Sequence, residues 1–452
     1  MYKRFFLASI YLVSAMLITS CTASDRTARN LDAELAALLY DAQVGALEMD
    51  IKPSPEKIAL GEMLFWDPEL SGNRDTACVT CHHPLFGTGD GLSLPVGTGG
   101  RGVGSDRQLG VDREFVARNA TPIYNLGFSE WETMFWDGRV AGALIEGYEN
   151  PASDDLLPDL ENAVAVQALF PVTSRDEMLG DRGDVDIFGQ PNELSWIRDF
   201  YPEQVWSGLM LRLMAIPEYV QLFHAAYPET NLNALGFQHA ANAIAAYEIA
   251  TFTLLDSPWD RYLSGDLAAL SKDEKRGALL FYGKAACVDC HAGDLMTDQD
   301  FHNLAIPHIG PGKGREAPLD YGRANETGDD CDLFAFRTPP LRNAAITGPW
   351  MHNGSYINLR DAVVHMLNPL AALQDYQPDQ LDPELQGPAM ADQNTIDAAF
   401  ACPDIYTGAV ALTEQELDDM IAFLNALTSI SALDGASFIP ERVPSGLPVG
   451  GY

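Results

Sequence analysis

The runs Cys78-Val79-Thr80-Cys81-His82 and Cys287-Val288-Asp289-Cys290-His291 are two copies of Cys-x-x-Cys-His. Two thiols about one helical turn apart can add to the two vinyl groups of one porphyrin, and the adjacent imidazole can then ligate its iron. The pattern is that of c-type haem attachment, so the chain is expected to carry two covalent haem c groups. A zinc site would want further Cys or His ligands close by. A redox disulfide has no use for a histidine in both copies.

The elements that must position these motifs also repeat. "SPEKIALGEMLFWD" reads as a helix with Ser54 as N-cap and Pro55 in its first turn. "SKDEKRGALLFYGKAACVDCH" has Ser271 and Glu274 at capping-box spacing. Both contain Gly-x-x-Leu-Phe, at Gly61 to Phe65 and Gly277 to Phe281, ahead of the cysteines. A period this long implies duplicated domains rather than a solenoid. Between the copies, Ile244, Tyr247, Thr251 and Leu254 share one helical face, in a run that stops at Ser257-Pro258. A last helix opens on Thr413 and Glu416, with Leu417, Ile421, Leu424 and Leu427 or Thr428 as its stripe. Strand-like alternation is rare, and the connections are long and rich in Gly, Pro and Asn. The expected fold class is mainly α, duplicated and loop-rich.

The 452 residues include 28 basic and 64 acidic side chains, a net charge of −36. That balance excludes a basic stripe for nucleic acid and leaves either solubility or the steering of a basic partner as its meaning. "MYKR" followed by "FFLASIYLVSAMLITS" reads as an export signal, and Cys21 at its end resembles a lipidated lipoprotein cysteine. The expected location is the periplasm, with a lipid anchor at Cys21 in the outer membrane. The expected organisation is a signal peptide over 1–20, a polar mobile tether over 21–45, haem domains over 46–266 and 267–435, and a tail over 436–452. Cys331 and Cys402 remain as either a disulfide or two free thiols.

Beyond the haem motifs, "LGEMLFWDPELSGN", "ARNATPIYNL", "MFWDGRVAG", "PVTSRDEM", "FRTPPLRNAAITGPWMHNGS" and "LRDAVVHM" resemble the bacterial di-haem cytochrome c peroxidases and their MauG-type relatives. The resemblance runs from about Ile51 to about Ser429. It implies two cytochrome-c-like helical domains: an N-terminal haem that meets hydrogen peroxide and a C-terminal haem that relays electrons. It makes His82 and His291 the proximal ligands, Glu177 the distal acid–base group, and Trp136 the indole between the haems. It also makes Met366 the second axial ligand of the relay iron, with the adjacent His365 as rival. Asn119, Thr347 and Pro349 match the family's inter-domain calcium site, and a homodimer is a family habit.

Two departures matter. MauG-type proteins carry tyrosine where Met366 stands. The reductively activated peroxidases carry a blocking histidine in the loop after the first motif. Here that loop reads "LSLPVGTGGRGVG", and no histidine occurs from Pro84 to Phe223. The resemblance thus implies a periplasmic peroxidase with an open reactive haem, taking electrons from a c-type cytochrome or cupredoxin. The alternatives are a MauG-like oxidase of a partner protein's side chains and a non-catalytic di-haem electron carrier.

Overall fold

A computed structural model describes residues 31–145, 147–386 and 409–451. It is mainly helical: α1 (31–41), α2 (Pro55–Trp66), α3 (Cys78–Cys81), α4 (Ala163–Gln167), α5 (Pro202–Met214), α6 (Pro217–Ala226), α7 (Phe237–Phe252), α8 (Pro258–Leu263), α9 (Lys272–Phe281), α10 (Ala324–Thr327), α11 (Leu359–Leu367), α12 (Pro369–Asp375) and α13 (Glu414–Ala426). Three short antiparallel strands, β1 (Thr133–Met134), β2 (Val140–Ala143) and β3 (Gly147–Glu149), pair with Thr133 opposite Ala141 and Gly142 opposite Tyr148. β4 (Phe301–His302) pairs with β5 (Phe336–Arg337).

The helices start where the caps predict. The Ser54 side chain accepts from the Lys57 amide, and Ser271–Glu274 and Thr413–Glu416 close capping boxes. α7 ends at Phe252, short of Ser257-Pro258, which instead opens α8.

Two apolar clusters organise the chain. Leu60, Leu64, Phe65, Tyr247 and Phe252 centre the first, and Trp259, Phe281, Met420 and Phe423 the second. In each, the entry helix crosses a later helix at a glycine. A Cβ on Gly61 would lie 1.8 Å from the Ala243 carbonyl oxygen and 2.8 Å from the Tyr247 Cβ. One on Gly277 would lie 1.9 Å from the Asp419 carbonyl oxygen and 2.7 Å from the Phe423 Cβ. Only glycine allows backbones to approach so closely.

Residues 31–41 and 443–450 each pack on the far cluster. The stretch read as a polar, mobile tether contains α1, whose Leu35 and Leu39 are buried in the second cluster. Asp32 on α1 lies 2.6 Å from Lys275 Nζ and accepts from the Tyr262 hydroxyl. The stretch read as a tail returns to the first cluster, burying Val443. There Ser445 Oγ donates to Asp67 at 2.6 Å, and the Gly450 amide donates to the Trp66 carbonyl at 2.9 Å. Leucines four apart and a single valine were the apolar anchors that a reading by composition passed over. Cys331 is disulfide-bonded. Its expected partner Cys402, like Cys21, lies outside the described residues.

Candidate active site

Cys78, Cys81 and His82 open onto a cleft of about 380 Å³ that is also lined by Glu177, Trp136, Trp131 and Arg337. α3 presents the two thiols, and burial pushes the Cys78 thiol up to about 12. His82 Nδ1 lies 3.3 Å from the Thr88 carbonyl oxygen. A carbonyl only accepts, so a proton on Nδ1 meets the Thr88 oxygen, the tautomer a metal-binding imidazole needs, and the ring also faces the Thr121 carbonyl. Burial holds His82 down to about 4, so its imidazole is neutral at neutral pH.

Glu177 sits in a single π-turn, Arg175–Leu179. Such turns widen the backbone and recur at functional sites. Its carbonyl accepts from the Thr98 amide and hydroxyl, both at 3.1 Å, and Gly97 fits against it where a Cβ would fall 2.5 Å from that oxygen. The loop expected to leave the haem open is therefore the loop that holds Glu177. Arg107, buried, locks that loop by donating to the Val96, Gly97 and Gly102 carbonyls at 2.6, 2.8 and 2.9 Å.

Trp136 is buried, with Nε1 donating to the Asn119 carbonyl at 2.9 Å. Its own carbonyl accepts from the Arg337 amide at 2.8 Å, and Arg323 donates to the carbonyls of Asp137 and Gly138. The turn bearing Trp136 is thus gripped by the C-terminal half of the chain. Asp137 beside it is fully buried against Arg118 (2.5 Å), Arg139 (3.1 Å) and Lys313 (3.5 Å). Burial alone would raise its carboxyl, but Arg139, Arg118 and Lys313 hold it well below the usual carboxylate range.

At the second motif His291 repeats the arrangement, with Nδ1 3.0 Å from the Met296 carbonyl oxygen. Cys287 and Cys290 are free thiols. His302 pairs with Asp298 at 2.9 Å and stands beside Cys290, and those two partners pull it up to about 10. His365 is fully buried and spends both nitrogens: Nε2 donates to the Leu304 carbonyl and Nδ1 accepts from the Tyr356 hydroxyl, each at 2.8 Å. It has no lone pair left for iron, whereas Met366, half-buried on the same helix, makes no such bonds. Asn119 is buried and its Nδ2 donates to the Leu92 and Ser93 carbonyls. Thr347 Oγ1 donates to the Ala344 carbonyl, and Pro349 follows a cis peptide bond.

Sequence reasoning missed four residues around the first motif. Glu248 on α7 is buried in the cleft wall, with Oε2 lacking any partner. A lone carboxylate inside the apolar run "AIAAYEIATF" was its signal. Asp90 is likewise buried with Oδ2 unpartnered. Trp131 is the second indole of the cleft. Arg337 is buried, and among the described residues no carboxylate pairs with it. Desolvation alone draws its guanidinium down to about 10.

These features fit covalent haem. Two unpaired thiols, an adjacent buried imidazole and a buried cation without a counter-ion are what the vinyl edge, the iron and the propionates of a haem would complete. Such a site fits a c-type haem protein.

Residues 55–268 match the family described as di-haem cytochrome c peroxidase. The chain is 30% identical over 368 residues to the methylamine utilization protein MauG of Methylorubrum extorquens, covering 80% of this chain and 83% of that protein. It is 31% identical over 346 residues to the cytochrome c551 peroxidase of Pseudomonas aeruginosa, covering 74% and 80%. A crystal structure of a MauG-like protein associated with microbial copper homeostasis superposes with a TM-score of 0.59 at 26% identity, covering 87% and 95%. The chain belongs to the di-haem cytochrome c peroxidase and MauG family, and the family implies two haem c groups. Among the described residues no helix is long and apolar enough to cross a membrane.

Proposed function

We propose that this protein is a periplasmic peroxidase that reduces hydrogen peroxide to water with electrons from a small redox protein, and that its two haem domains arose by duplication. The observation that carries the reading is one cleft holding His82 together with Glu177 and Trp136. The repeated glycine crossing and the repeated Nδ1-to-carbonyl bond support the duplication.

In this reading, Cys78, Cys81 and His82 hold the peroxide-reactive haem, and Cys287, Cys290, His291 and Met366 the relay haem. Haem supplies the electron-accepting and electron-donating iron. Glu177 takes the proton from the near oxygen of peroxide and returns it to the far one. The Thr98 bonds fix the backbone that aims its carboxylate. Trp136 offers an oxidisable π-system between the two haems, and Arg337 neutralises a propionate. Asn119, Thr347 and Pro349 are assigned to calcium on the family pattern alone. The leader at Cys21 supplies the anchor, and the acidic surface favours a basic donor.

The test mixes the ferric, haem-loaded protein with one equivalent of hydrogen peroxide in a stopped-flow spectrometer. A prompt change in the haem spectrum without prior reduction is expected, because the loop carries no histidine and is locked by Arg107. Silence until one haem is reduced would overturn the open-site reading.

A further inference from the structure

Trp131 alone among the described residues lines both the haem cleft and a second pocket. That second pocket has a volume of about 420 Å³, within the range of small-ligand sites. Trp131 is buried between the two, held by Nε1 donating to the Asn125 carbonyl at 2.8 Å. The pocket is walled by Phe128, Leu144 and Tyr148, with Asn162, the Lys57–Glu161 ion pair and Lys52 as polar points and the Ser129 hydroxyl donating to Asp50. Leu144 is exposed, so the mouth opens to solvent. Among the described residues no carboxylate pairs with Lys52, in a chain whose net charge is −36.

We propose that the outer pocket binds a single-ring phenol as reducing substrate and that Trp131 carries its electron into the haem cleft. This rests on the peroxidase reading above and adds a second entry for electrons, separate from a protein donor. The aromatic and aliphatic walls suit one ring, and the unpaired Lys52 favours a ring bearing a carboxylate. Indole is oxidisable, and Trp131 spans the wall that separates donor from oxidant. The guanidinium of Arg337 lies 5.6 Å from the ring centre on the haem side.

The balance closes without a further reagent. Each phenol gives one electron through Trp131 and releases its hydroxyl proton, becoming a phenoxyl radical. Two phenols supply the two electrons and two protons with which one hydrogen peroxide, its O–O bond broken, forms two waters.

The test has two readings on haem-loaded protein. First, peroxide is added with the spin trap 2-methyl-2-nitrosopropane and no donor, and the adducts are mapped by peptide mass spectrometry. Adducts on Trp131 or Tyr148, suppressed by excess 2-methoxyphenol and absent from Trp131→Phe, are expected. Second, steady-state oxidation of 2-methoxyphenol should fall tenfold or more in Trp131→Phe. In Lys52→Ala the KM should rise for 4-hydroxy-3-methoxybenzoate but not for 2-methoxyphenol. Should Trp131→Phe fail to fold, Leu144→Arg at the mouth should give the same loss of phenol oxidation without touching the core. Adducts confined to other residues, or wild-type phenol oxidation in these variants, would overturn the proposal. Peroxide consumption with a reduced cytochrome but not with either phenol would sink this inference alone, whereas no consumption with any donor would sink the peroxidase reading itself.

Discussion

Gly61 meets the backbone of Ala243 so closely that a Cβ on it would fall 1.8 Å from the carbonyl oxygen. Real carbon and oxygen atoms do not approach to that distance, so Gly61→Ala must push α2 away from α7 or distort both. The cost of such overpacking is about 3 kcal/mol. Gly277→Ala should behave alike, since its Cβ would fall 1.9 Å from the Asp419 carbonyl oxygen. Denaturant unfolding followed at the haem band should show both losses. The first substitution should disturb the haem at Cys78 and Cys81 and the second the haem at Cys287 and Cys290. Equal disturbance of both haems by either variant would contradict two separate crossings.

Glu177→Gln should lower peroxide turnover by about a hundredfold or more, the range of a lost general acid–base group. The amide keeps the size of the carboxylate, and the Thr98 bonds that fix the π-turn come from backbone and hydroxyl, so the haem spectrum should stay as it is. Stopped-flow peroxide consumption measures the first effect and the resting spectrum the second. Retained turnover would remove Glu177 from the chemistry.

Much of this was legible in the residues. Caps at Ser54, Ser271 and Thr413 located their helices, because a hydroxyl followed by a carboxylate or proline has few other uses there. The haem motifs declared themselves by spacing. What escaped were relations made only by tertiary folding. Nothing in the sequence says that Thr88 and Met296 supply carbonyls to His82 and His291, since any residue has a carbonyl. Nothing around Arg107 in the sequence says that its fork meets three carbonyls of a glycine-rich loop. Residues 31–41 and 443–450 show their partners only once the opposite cluster exists.

His365 and Met366 are neighbours that should separate cleanly. His365→Ala strips partners from the Leu304 carbonyl and the Tyr356 hydroxyl in a buried place, at a cost of about 3 kcal/mol. It should leave the haem potentials in place. Met366→Ala should do the opposite: little loss of stability, a lowered reduction potential for one haem, and no change in the other. Spectropotentiometry alongside denaturation distinguishes them. A potential shift in His365→Ala with none in Met366→Ala would exchange their roles.

Glu248 gives the fold a pH dependence of definite sign. Burial raises its carboxyl from 4.5 to about 8, and its Oε2 has no partner to offset that. Below 4.5 the folded and unfolded chains both hold the proton, and the contribution to stability is fully present. As pH rises from there to about 8 the unfolded chain has released a proton that the folded chain keeps, so stability falls steadily. Above 8 both have released it, and the full cost, on the order of 5 kcal/mol, stands. Asp90 adds the same sign over a narrower window, from 3.8 to about 7, again chiefly through burial. Glu248→Gln removes the ionisation while keeping the shape. Its midpoint of thermal unfolding should exceed that of the wild type by several degrees at pH 8.5 and by little at pH 5, measured on haem-loaded protein. Parallel pH profiles for the two proteins would mean that Glu248 finds a partner once haem fills the cleft.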